Sequence, residues 1–132
     1  MSQNVSEETR AVVLVGHCGP DAWMLKSMVG KAAPGRPIEM ANSDRDLEAY
    51  LDSAALLLVN RVLDGRFGTE SGIELIGSLA SREGGAPPMI LVSNLPDAQA
   101  EGERAGARPG FGKSDLYAAE TIERVQRAIA GD

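Results

Sequence analysis

The chain has 132 residues, with 13 Lys+Arg against 19 Asp+Glu, a formal net charge of −6, one Cys and one His. A single Cys excludes an intrachain disulfide framework, and one Cys with one His falls short of the four N/S ligands of a structural zinc site. The acidic balance argues against nucleic acid or an anionic membrane as the main partner, since both select basic surfaces.

Met1–Arg10 is polar and acidic, without the basic and apolar regions of a signal peptide, and is expected as a flexible tail before one domain over residues 11–132. No apolar run is long enough to span a bilayer, so the expected compartment is the cytoplasm. Ala11–Val15 is a continuous apolar, β-branched run that predicts a strand buried on both faces. Pro20 opens a helix to about Gly30, with Trp23, Leu25, Met28 and Val29 on its inner side. Ile38–Met40 predicts a short strand, and Ser43 caps a helix carrying Leu47, Tyr50 and Leu51. Ala54–Asn60 is the next buried strand, followed by a long loop, Arg61–Glu70, with Asp64-Gly65 and Gly68 as turn signals. Ser71-Gly72-Ile73-Glu74 has the capping-box pattern and starts a helix with Ile73, Ile76, Leu79 and Ala80 inward, ending near Gly84-Gly85. Pro88–Ser93 is a third buried strand. Pro96–Ala105 is a charged helix interrupted by Gly102, and Arg108–Phe111 is a final short strand. Ser114 caps a last helix in which Leu116, Ala119, Ile122, Val125 and Ile129 recur at helical spacing.

Strands alternating with helices predict an α/β fold of (βα)5 type, a doubly wound, parallel, five-stranded sheet with helices on both faces. The functional site of such a fold lies at the carboxyl ends of the strands. The residues arriving there are Gly16-His17-Cys18, Asn60-Arg61, Ser93-Asn94 and Gly112-Lys113.

The order of these elements and strand ends resembles a response-regulator receiver domain, the CheY-like member of the flavodoxin-like folds, from about Val12 to Ala130. Val13–Asp21 lines up with the family's first strand, acidic pair and following Pro-Asp. Leu56–Asn60 lines up with the strand that ends in the phosphoacceptor aspartate, and Ser71–Ile76 with the Asp-Gly-hydrophobic-Glu-Leu helix start. Met89–Asn94 matches the strand ending in Thr/Ser, while Ala105-Gly106-Ala107 and Lys113 match the Gly-Ala and the lysine. The departures from the pattern bear on function. His17 and Cys18 stand where the resemblance implies two Mg²⁺-binding acids, and Asn60 stands at the phosphoacceptor position. A carboxamide has no anionic oxygen to form an acyl phosphate, and a thiol and an imidazole do not replace hard oxygen ligands. Ser93 and Lys113 remain in place, but the proline after the lysine is Ser114, the aromatic switch position falls on Gly110, and the loop after Asn60 is longer than the family norm.

The expected function is therefore that of a degenerate pseudo-receiver, a stand-alone, non-enzymatic domain of phosphorelay-type signalling with no cofactor and no bound metal. It is expected to act on a protein partner by contact, independently of aspartyl phosphorylation. The resemblance implies the Pro96–Ala130 face as its contact surface, including for a homodimer. Two other classes stay open. Cys18 is either a half-buried filler with His17 facing solvent, or a reactive thiolate favoured by Lys113 in a redox sensor or enzyme. Lys113 either binds an anion with Ser93 and loop amides, or pairs with Asp64 or Asp115. In the long loop, Arg66 and Phe67 either fold back onto the sheet or project toward a partner.

Overall fold

The aliphatic runs Val12–Val15 (β1), Leu56–Asn60 (β3) and Met89–Val92 (β4) form the centre of a parallel sheet in a computed structural model that describes residues 9–131. Ile38–Ala41 (β2) and Arg108–Phe111 (β5) complete it at the edges, in the order β2-β1-β3-β4-β5. The five helices are Gly19–Ala32 (α1), Asp44–Glu48 (α2), Gly72–Ala80 (α3), Pro96–Ala105 (α4) and Ala119–Ala130 (α5). This is the doubly wound α/β arrangement expected from the alternation of elements. The tail expected over residues 1–10 lies outside the described residues apart from Thr9 and Arg10.

Alternate residues of the central strands face opposite layers, so one apolar run builds two cores. Val12, Leu14, Leu56, Leu58, Ile90 and Val92 pack against α1 and α5, while Val13, Val15, Leu57, Val59, Met89 and Leu91 pack against α2, α3 and α4. The strand order reverses between β1 and β3, which opens a crevice at their carboxyl ends.

Five local expectations are corrected. Trp23 is 73 % exposed, because Ala22, Leu25, Met28, Val29 and Ala32 already supply the buried stripe of α1. Gly102 does not interrupt α4: a Cβ there would stand 3.0 Å from Leu91 Cβ, so the glycine lets the helix lie close against β4. Ser114 is no helix cap. Lys113–Asp115 forms a separate 3-10 turn and α5 starts at Ala119, which is itself exposed. The capping box is half realised, since Ser71 Oγ accepts from Glu74 N as expected, whereas the Glu74 carboxylate takes the hydroxyl of Thr69. In α3 the buried positions are Gly72, Leu75, Ile76 and Leu79, with Ala80 exposed.

Candidate functional site

At Gly16 the chain leaves β1 with φ +72°, and a Cβ would meet Leu63 Cδ2 at 2.7 Å. Only glycine takes that turn at no steric cost, and its missing side chain leaves room for Leu63 of the β3–α3 loop. That loop is closed down onto the domain. Leu63 is buried, Asp64 N donates to Gly16 O at 2.9 Å, and Arg66 N donates to Asn42 O at 2.7 Å. Phe67 is half-buried against the α2/α3/α4 core, so of its two readings the folded-back one holds, while Arg66 is exposed.

His17 follows with its ring turned inward, 2 % exposed, against the solvent-facing reading. Its Nε2 lies 2.8 Å from Leu58 O, which assigns the proton to Nε2 and makes the ring a donor to a β3 carbonyl. Nδ1 is buried without a hydrogen-bond partner. Burial lowers the imidazole pKa to about 4; the Leu58 hydrogen bond opposes the shift and the positive charge of Lys113 adds to it.

Asn60 ends β3. Its Nδ2 donates to Gly16 O at 3.0 Å and to Val62 O at 2.8 Å, tying the ends of β1 and β3 to the long loop. Its Oδ1 accepts from Lys113 Nζ at 3.4 Å, a long contact. The close partner of Lys113 is Asp21 in the first turn of α1, with Nζ 2.6 Å from Oδ2. The lysine therefore pairs with neither Asp64 nor Asp115. Its hydrogen bond to Asp21, reinforced by one from the Cys18 thiol, holds that carboxyl below the usual carboxylate range. Cys18, half-exposed at the N-cap of α1, thus joins Asp21, Lys113 and Asn60 in one chain of contacts. Asp21 is the residue that sequence reasoning missed as a site member. The available signal was an acid in the first turn of the helix after β1, at the strand-end layer that also receives Lys113.

Ser93 is buried and engaged locally: its Oγ accepts from Leu95 N at 3.1 Å and its carbonyl from Gln99 Nε2 at 2.6 Å. Asn94 Oδ1 accepts from both the amide and the hydroxyl of Ser114, which ties the β4–α4 and β5–α5 connections together. Asn60, Arg61, Val62, Ser93, Asn94, Leu95 and Lys113 line an open cleft of about 410 Å³. His17 and Cys18 do not line it. The donor set does not fit the Mg²⁺ that the fold family implies. An inward imidazole, a thiol and a carboxamide whose nitrogen faces two carbonyls offer no anionic oxygen at the aligned positions. Among the described residues no group of three or more His, Cys, Asp or Glu is placed to hold a metal ion.

Neither a protein-family model nor a curated protein matches the sequence. Solved structures do match the fold. The signal receiver domain of a DNA-binding response regulator from Colwellia psychrerythraea 34H superposes with TM-score 0.73 at 16 % identity, over 92 % of this chain and 98 % of the other. A response regulator from Thermotoga maritima gives 0.69 at 19 %, and a response regulator receiver protein from Pseudoalteromonas atlantica 0.69 at 22 %, each over 92 % of this chain and 98 % of its own. The fold is thus that of CheY-like receiver domains. No helix of the described residues is long and apolar enough to cross a membrane.

Proposed function

We propose that this chain is a pseudo-receiver, a receiver-like signalling domain that works by protein–protein contact without phosphorylation at the position of Asn60. The observation that carries the reading is the double donation of Asn60 Nδ2 to Gly16 O and Val62 O. A phosphoacceptor needs an anionic oxygen free to attack. Here the side chain is neutral and its donor group is committed to the backbone, while the lysine that would meet a phosphoryl group is neutralised by Asp21.

The surface supports contact at the carboxyl edge more than on the Pro96–Ala130 face as a whole. On that face Arg124 is held by Glu120 and the Gly110 carbonyl, and Arg127 by Glu123. Among the described residues the exposed large apolar side chains are Trp23, Val62 (53 %), Leu95 (51 %) and Tyr117 (54 %). Val62, Leu95 and Tyr117 lie in the connections that follow β3, β4 and β5, and Trp23 in the second turn of α1. Incubation with a small acyl-phosphate donor and Mg²⁺, read by intact mass, is expected to leave the protein unmodified. A stoichiometric, acid-labile phosphate would overturn the reading.

A further inference from the structure

The cleft beside Asn60 continues into a second depression of about 460 Å³ between α3 and α4, the two sharing Arg61 and Leu95. The second depression is lined by the apolar side chains of Ile73, Leu95, Pro96 and Ala98, by the carboxylates of Asp97 and Glu101, and by Arg61, so its acids outnumber its one cation. These two carboxylates lie four residues apart on α4, so they face the same way, and neither has a cation partner among the described residues. The groove therefore calls for a bulky apolar group followed by a positive charge.

The exposed face of α1 offers that combination. Trp23 stands out at the second turn, and Lys26, three residues on, shares its side of the helix. Lys26 is exposed and carries no partner among the described residues. We infer that α1 of a second copy of this chain docks in the α3/α4 groove, with the Trp23 indole over Leu95 and Ile73 and the Lys26 ammonium at Asp97 and Glu101. The inference rests on the contact reading above and names the partner, while making no use of whether Asn60 can be phosphorylated. The donating helix and the receiving groove are different surfaces, so the contact is heterologous: each copy gives α1 to one neighbour and receives α1 from another. Aromatic anchors in apolar pockets, rimmed by matched charges, are the usual carriers of such contacts. With a net charge of −6 the copies repel at long range, so association belongs to high protein concentration and to ordinary salt, where that repulsion is screened.

The chain has one tryptophan, so its emission reports on the surroundings of Trp23 and of no other site. Sedimentation velocity at about 0.15 M salt, over a concentration series reaching about 1 mM, is expected to show a rising weight-average mass. A blue shift of tryptophan emission should follow the same concentration dependence. Lys26→Glu and Glu101→Lys are each expected to weaken association about tenfold or more, and the combined variant K26E/E101K to recover most of the loss. Both positions are exposed, and circular dichroism checks that the fold is kept. A monomer at every concentration would overturn the inference. So would association that leaves the emission unchanged, or a double variant no better than the singles. The phosphodonor experiment reads a covalent mass, so failure of either proposal is recognised separately.

Discussion

The crevice at the end of β3 and the rim around it differ in how their side chains are satisfied. Inside, Asn60 ties two loops through its amide, Lys113 is held by Asp21, and the His17 ring is closed onto Leu58 O. On the rim, Arg61, Val62 and Leu95 are exposed. Trp23 and Tyr117 are exposed as well, the Lys31 ammonium lying 5.9 Å from the Tyr117 ring centroid. Polar groups paired within the fold hold one conformation, His17 Nδ1 being the one buried polar side-chain atom without a partner among the described residues, whereas exposed apolar groups gain free energy only when something covers them. The crevice side chains are paired within the domain, and the rim side chains are left to solvent.

The sharpest break of that comparison is acid. The folded-state pKa of His17 near 4 lies below its unfolded value near 6.5, so above that value the shift costs nothing. As pH falls from 6.5 toward 4 the unfolded chain takes up the proton first, and the fold should lose stability up to about 3 kcal/mol before levelling off. Urea unfolding at a series of pH values measures this. His17→Leu should remove that segment of the profile, and an unchanged slope between pH 6.5 and 4 would show that the ring is not the source.

Asn60→Asp comes next. It puts an acceptor in place of the donor that faces Gly16 O and Val62 O. A loss of about 1–2 kcal/mol at neutral pH follows from two broken hydrogen bonds, with Lys113 offsetting part of the repulsion. Unchanged stability would mean that the amide ties contribute little. A double-mutant cycle on Asp21 and Lys113 should return a coupling of about 1 kcal/mol, since both side chains are about three-quarters buried but reach solvent. Because the Asp21 carboxyl is held low, that contribution is present above its ordinary range and fades as pH falls through its lowered value. The smallest effect belongs to the rim. Arg61→Ala, Val62→Ser and Leu95→Ser should each change stability by less than about 0.5 kcal/mol. A large loss at any of them would dissolve the distinction between rim and crevice.

The strands and most helices were legible because their signals are local. Continuous Val/Leu runs state burial on both faces, and Ser43 and Ser71 state helix starts; the structure keeps both caps. Trp23 shows the limit of periodicity. The α1 stripe can be drawn through it or through Ala22, and only packing against β1 and α5 selects the smaller residue. Ser114 shows another, since its hydroxyl has a better partner in Asn94, twenty residues away in sequence, than in the helix it precedes. In the crevice the residue types were readable at the strand ends, while their pairings were not. Lys113 chose an acid 92 positions away, and His17 chose a carbonyl 41 positions away.

By itself the sequence determined the alternation of elements, the burial of the central strands, and the arrival of His17, Cys18 and Asn60 at the strand ends. These are properties of one residue or of a short run, set by side-chain chemistry and period. Tertiary structure decided the rest: that the lone histidine is sealed inside, that Asp21 restores a carboxylate to the lysine, and that the long loop closes on Gly16. Each depends on which strand ends are brought together where the sheet reverses order, and that is settled by packing across the whole domain.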